Sequence, residues 1–168
     1  IHHEGVLAHT FINEFYRVRI NGQTVGELHM NAALAGYHGV PVALVVGDEQ
    51  TCREGREALG DVLCVATKRG LDRYAAWMKS PNVTQRELWE AAAEATRNAS
   101  RFAPFRFVSP VEMEIEFLAV TAATASSFIP GVKRTGPRSI AYRHEDYRTV
   151  YHMGWIFQLI AQGNYVQQ

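Results

Sequence analysis

The period of hydrophobic and polar positions changes several times along the chain, and each change marks a boundary. Residues 111–118 alternate strictly, with Val111, Met113, Ile115 and Phe117 set against Glu112, Glu114 and Glu116. That pattern predicts a strand with one face buried. Residues 15–20 interleave Phe15, Arg17 and Arg19 with Tyr16, Val18 and Ile20, and Asn21-Gly22 follows directly. Asn-Gly tolerates the positive φ required at both central positions of a type I′ turn, so this strand folds back on residues 23–25 as a hairpin. Residues 27–37, from Glu27 to Tyr37, are rich in Ala and Leu, too apolar for a surface helix, and are predicted as a buried one stopped by Gly39 and Pro41. Residues 42–46 are continuously apolar. A run without alternation predicts a strand covered on both faces, ending here at Gly47-Asp48-Glu49.

Residues 50–59 carry their charges on one side and predict a helix with Gly60-Asp61 as its exit. The apolar run 62–67 is the next strand and leads into Lys68-Arg69-Gly70. Strand, helix and strand in this order make a βαβ unit with parallel strands and a right-handed crossover. Asp48, Glu49 and Lys68 then gather at the sheet edge where open α/β sheets bind ligands. After Ser80-Pro81, Thr84 and Glu87 form a capping-box pattern ahead of the stripe Leu88, Ala91, Ala92 and Ala95. Residues 98–110 read as a loop, 119–128 as a weak helix ended by Ile129-Pro130-Gly131, and 139–142 as a short strand. Residues 146–162 are a long helix with Val150, Met153, Phe157 and Ile160 along one side, broadened by Tyr147, Tyr151 and Trp155. The expected architecture is α/β: a layered sheet with helices on its faces, combining a βαβ unit and a β-hairpin in a single domain over residues 1–168.

Length is compatible with one domain, since 168 residues bury a substantial core. Lys plus Arg and Asp plus Glu both number 17, so there is no basic field to steer the chain to nucleic acid or an anionic membrane. No apolar run approaches the roughly 20 residues of a membrane span, and nothing reads as a signal peptide. Cys52 and Cys64 lack C-x-x-C spacing, which points away from a disulfide framework or zinc knuckle and towards a reducing, cytoplasmic setting. The chain opens on Ile1 rather than Met and continues His2-His3, as expected of a fragment or processed product.

Seven histidines invite a metal reading, yet H-E-x-x-H is absent, and His144-Glu145-Asp146 is more simply a polar entry to the last helix. His29 and His38 accompany the buried helix and suit core or capping roles. The glutamates of the alternating strand have a solvated sheet face as their ordinary reading. Glu27 has two readings: a carboxylate favoured by the helix dipole, worth about 0.3–1 kcal/mol, or a functional group. His9 is likewise either packed or reactive.

Several short segments in fixed order bear on that choice: Gly5-Val6-Leu7-Ala8-His9-Thr10, Ile20-Asn21-Gly22, Val25-Gly26-Glu27-Leu28, Asn31-Ala32, Ala35-Gly36, Gly39-Val40-Pro41-Val42 and Gly47-Asp48. With their spacing they resemble the later part of the D-aminopeptidase (DppA-like) family of zinc metallopeptidases. The resemblance implies two zinc ions in one site, held by an Asp-x-Glu-Gly motif, two histidines and the glutamate of a Val-Gly-Glu segment. By that match His9 is the catalytic histidine and Glu27 a metal ligand. Zinc accepts carboxylate oxygen and lowers the pKa of bound water to about 7, and an imidazole beside it can act as base, acid or nucleophile. The Asp-x-Glu-Gly motif does not occur in this sequence and the family's two ligating histidines fall ahead of Ile1, with His3 the nearest substitute. The resemblance therefore implies a zinc aminopeptidase acting on peptides or amides with an amino-terminal D-residue. It also implies a ring-shaped homo-oligomer, with a companion amino-terminal segment completing the site. The reading from another class is a non-catalytic scaffold or small-molecule-binding domain that keeps the fold without the metal.

Overall fold

Burial follows the sequence pattern closely enough to explain most elements of the computed structural model, which describes residues 4–163. In chain order the elements are β1 (Phe15–Ile20), β2 (Gln23–Thr24), α1 (Glu27–Tyr37), β3 (Leu44–Asp48), α2 (Glu49–Leu59), β4 (Leu63–Asp72), β5 (Ala75–Met78), α3 (Pro81–Arg97), β6 (Val111–Phe117), α4 (Val120–Ser127), β7 (Lys133–Arg134), β8 (Ser139–His144) and α5 (Tyr147–Gly163). The protein is mixed α/β, with its chain divided into two compact units. One comprises Ile1–Ala8 with His38–Phe105, the other His9–Tyr37 with Arg106–Gln168.

The unit containing His9–Tyr37 is built on a sheet of order β2-β1-β6-β8-β7, antiparallel throughout. Asn21 and Gly22 have φ of 50° and 81°, the two positive values a type I′ hairpin needs. The alternation of β6 puts Val111, Met113, Ile115 and Phe117 in the core beside Val18, Ile20 and Ile140. Helices α4 and α5 pack on β6 and β8, and α1 packs on α5. Glu114 and Glu116 point the other way and pair with Arg19 at 2.6 Å and Arg138 at 3.0 Å, so the glutamate row is a half-solvated sheet face. Helix α1 occupies residues 27–37 and buries Met30, Ala32, Ala33 and Gly36.

The other unit carries the parallel pair β3 and β4 with α2 between them, and β5 pairs antiparallel to β4. Three expectations are corrected here. Strand β3 starts later than residue 42, and it is not covered on both faces, since Val46 is 45% exposed. The helix after Ser80 has no side-chain capping bond; Pro81 occupies its first turn, and Glu87 pairs with Lys79 at 2.7 Å instead of closing a box with Thr84. Of the stripe expected on it, Ala95 is buried whereas Ala92 is exposed. Strands β5 and β7 have no counterpart in the sequence pattern, because Trp77 and Met78 face solvent and β7 is two exposed basic residues. No helix of the described residues is long and apolar enough to cross a membrane.

Candidate functional site

Register places Asp48 opposite Lys68, so the charges expected at the end of β3 do gather there. Their role is structural. Asp48 is buried, and its Oδ1 accepts from the Thr51 N–H at 2.7 Å and the Thr51 hydroxyl at 2.9 Å, while its Oδ2 accepts from the Val6 N–H at 2.7 Å. It is the N-cap of α2. Glu49 reaches Arg69 at 3.9 Å with both side chains more than half exposed, a pair of little energetic weight. Burial alone would push the Asp48 carboxyl up, but the bonds from Thr51, Val6 and Gln50 together outweigh it and hold the group below its usual range. A depressed folded pKa means that the stabilisation is present above the unfolded value near 4 and is lost as pH falls through the folded value. Denaturant unfolding is therefore expected to show stability falling below about pH 4. In Asp48→Ala part of that slope should vanish, with a loss at neutral pH of roughly 0.5–2 kcal/mol.

The residues matched to chemistry, His9 and Glu27, lie in the unit built on the antiparallel sheet. His9 is exposed, on a short loop that precedes β1. Two residues further on, Phe11 has φ of 60° and the Ile12 N–H donates to the Thr10 carbonyl at 2.7 Å, which defines a γ-turn of the rare positive-φ kind. Such backbone strain persists only where surrounding contacts over-determine it. Here the Phe11 ring meets Tyr151 edge-on at 5.7 Å and Trp155 at 6.1 Å. The Phe11 N–H donates to Glu27 Oε2 at 3.3 Å, so the carboxylate at the start of α1 is joined to the loop two residues past His9. Its other oxygen, Oε1, accepts from Asn31 Nδ2 at 3.5 Å, and Asn31 Oδ1 accepts from the Tyr151 hydroxyl at 2.7 Å. Sequence reasoning passed over Phe11, Asn31 and Tyr151 as parts of this arrangement. The available signals were the four-residue spacing of Glu27 and Asn31, which puts them on one helix face, and the place of Asn31 in the matched Asn31-Ala32 segment.

Of the remaining histidines, His29 and His144 fall where the sequence suggested, while His38, for which a core or capping role was expected, is exposed just past α1. His29 Nδ1 accepts from the Gly26 N–H at 3.3 Å, a capping contact at the head of α1. His144 Nδ1 accepts from the Asp146 N–H at 2.9 Å, and Asp146 Oδ1 in turn accepts from the Arg148 N–H at 2.9 Å, a polar entry to α5. His2 and His3 lie outside the described residues. Cys52 and Cys64 are both thiols, and burial pushes Cys52 up to about 11, which makes it unreactive. Among the described residues no group of three or more His, Cys, Asp or Glu is placed to hold a metal ion. Catalytic zinc needs about three protein ligands. Glu27 supplies one suitable oxygen donor, and the described residues alone do not fit a complete zinc site.

An α/β fold with a carboxylate joined to a histidine-bearing loop narrows the class of protein, and comparison with known families identifies it. The D-aminopeptidase family (peptidase M55) matches residues 2–156, and the chain belongs to that family. It is 32% identical over 148 residues to a D-aminopeptidase of Bacillus subtilis (strain 168), an alignment that covers 88% of this chain and 54% of that protein. Among solved structures, the Zn-dependent D-aminopeptidase DppA from Bacillus subtilis, described as a self-compartmentalizing protease, superposes with a TM-score of 0.89 at 30% identity. That superposition covers 94% of this chain and 58% of DppA. The chain thus spans a little over half the length of these relatives.

Proposed function

We propose that this chain supplies a carboxylate and an imidazole to a zinc-dependent aminopeptidase that hydrolyses peptides or amides beginning with a D-residue. The observation that carries the reading is the bond from the Phe11 N–H to Glu27 at 3.3 Å, which joins the carboxylate to the loop bearing His9. The names of the Bacillus subtilis D-aminopeptidase and of the solved DppA structure support it. Zinc, when bound, supplies a Lewis acid and an acidified water. Glu27 contributes one oxygen donor, and the other donors come from a companion amino-terminal segment. The exposed imidazole of His9 takes a proton from the attacking water and returns it to the leaving amine, the ordinary work of a general acid–base histidine. A ring-shaped homo-oligomer is proposed on the strength of the self-compartmentalizing neighbour. Two zinc ions per site and a cytoplasmic location complete the reading.

The test is Glu27→Gln, with zinc stoichiometry and hydrolysis of D-Ala amide measured on the chain together with its companion segment. A neutral amide is a poorer zinc ligand than a carboxylate. Zinc affinity is expected to fall by more than the roughly 10–100-fold that loss of an outer-shell partner costs. Unaltered zinc content in the variant would remove Glu27 from the donor set. A companion-supplemented protein that stays zinc-free and inactive would favour the scaffold instead.

A further inference from the structure

Phe11, Glu27, Asn31 and Tyr151 close into a ring, and we propose that Asn31 and Tyr151 are positioning residues that aim the Glu27 carboxylate. The inference deepens the reading of Glu27 as a metal ligand and rests on it. An ionised carboxylate only accepts, so the Asn31 amide must turn its NH2 towards Glu27 Oε1, which leaves its oxygen facing Tyr151. The tyrosine hydroxyl must then donate, as its 2.7 Å bond to Asn31 Oδ1 records. The polarity runs one way, from Tyr151 through Asn31 to Glu27, and the Phe11 N–H meets the second carboxylate oxygen from the other side.

Tyr151 governs both approaches. Its hydroxyl orients the amide that holds Oε1, and its ring lies edge-on to Phe11, whose N–H holds Oε2. A glutamate side chain has considerable rotamer freedom to lose, and one neighbour four residues along a helix does not remove it. Two contacts from opposite sides do. Both are long, at 3.3 and 3.5 Å, and they engage two of roughly four lone-pair sites, so the carboxylate is aimed yet still able to accept a cation. The alternative is that Asn31 and Tyr151 merely tie α1 to α5. In that case their loss would lower stability and nothing else.

Tyr151→Phe keeps the ring and deletes the hydroxyl. Asn31→Asp is nearly isosteric, lies at an exposed position and replaces the donor facing Glu27 by a like charge. Two readouts are taken: hydrogen exchange of the Phe11 amide in the chain itself, and zinc affinity of the chain with its companion segment. Tyr151→Phe is expected to speed Phe11 exchange and weaken zinc about 10–100-fold. Asn31→Asp should do more on both counts, and Tyr151→Phe should have no further effect on zinc in a Glu27→Gln background. Unchanged Phe11 exchange and unchanged zinc affinity in Tyr151→Phe, with or without a lower unfolding midpoint, would overturn the proposal. Faster Phe11 exchange with zinc binding indifferent to Glu27→Gln would support the positioning and overturn the ligand role, which separates the two readings.

Discussion

In the chain together with its companion segment, replacing His9 by Ala is expected to reduce hydrolysis by about 10²–10⁴-fold, the usual worth of the general acid–base role proposed for it, with zinc content and unfolding midpoint unchanged. The reason for expecting so clean a separation is where His9 sits. It is exposed, so truncation leaves no cavity. It lies on the loop between Leu7 and Phe11, both held at positive φ, 52° and 60°. Strained backbone of this kind is concentrated at functional sites. Single-turnover hydrolysis of D-Ala amide, zinc stoichiometry and thermal unfolding of the same preparation form the measurement. Zinc lost along with activity would make His9 a ligand, and full activity in the variant would return it to an ordinary surface histidine.

What the sequence made legible divides along physical lines. The alternation of residues 111–118 specified β6, its buried face and the solvated face opposite, because a period of two has only one half-buried solution. Asn21-Gly22 specified the hairpin for a similar reason: few residue pairs accept its backbone. The helix from Glu27 to Tyr37 was equally plain. Asp48 was not. Its position at a strand end suits both a ligand and a helix cap, and only the N–H groups of Val6 and Thr51 at 2.7 Å decide for the cap. The ring around Glu27 was harder still. Tyr151 meets Asn31 across 120 positions of sequence, and the Phe11 γ-turn uses a residue type that gives no hint of positive φ. Short strands failed for want of pattern, as the exposed Trp77 and Met78 of β5 illustrate.

Gly70→Ala is expected to be among the most destabilising single-methyl additions in the unit built on the parallel strands. Gly70 is buried in β4, and a Cβ built there would stand 1.8 Å from the backbone carbonyl oxygen of Glu4, where no side-chain rotation can relieve the clash. The segment from Glu4 to Ala8 would have to lift away. Doing so breaks the Val6 N–H bond to the Asp48 carboxylate at 2.7 Å, the Leu7 N–H bond to the Arg73 carbonyl at 2.9 Å, the Arg73 Nη1 bond to the Ala8 carbonyl at 2.6 Å and the Gln50 Nε2 bond to Glu4 at 2.7 Å. Bonds involving an ionised partner contribute about 1.5–3 kcal/mol each and neutral ones about 1 kcal/mol, but water recovers part of this once the segment is exposed. A net cost of about 2–4 kcal/mol follows, larger than the 1–3 kcal/mol typical of overpacking that side chains can absorb. Denaturant unfolding measures the loss, and hydrogen exchange at Val6 and Leu7 locates it, since both amides lose their acceptors only if this segment detaches. A variant as stable as the parent, with Val6 and Leu7 still protected, would mean that β4 can shift away from Glu4 at little cost.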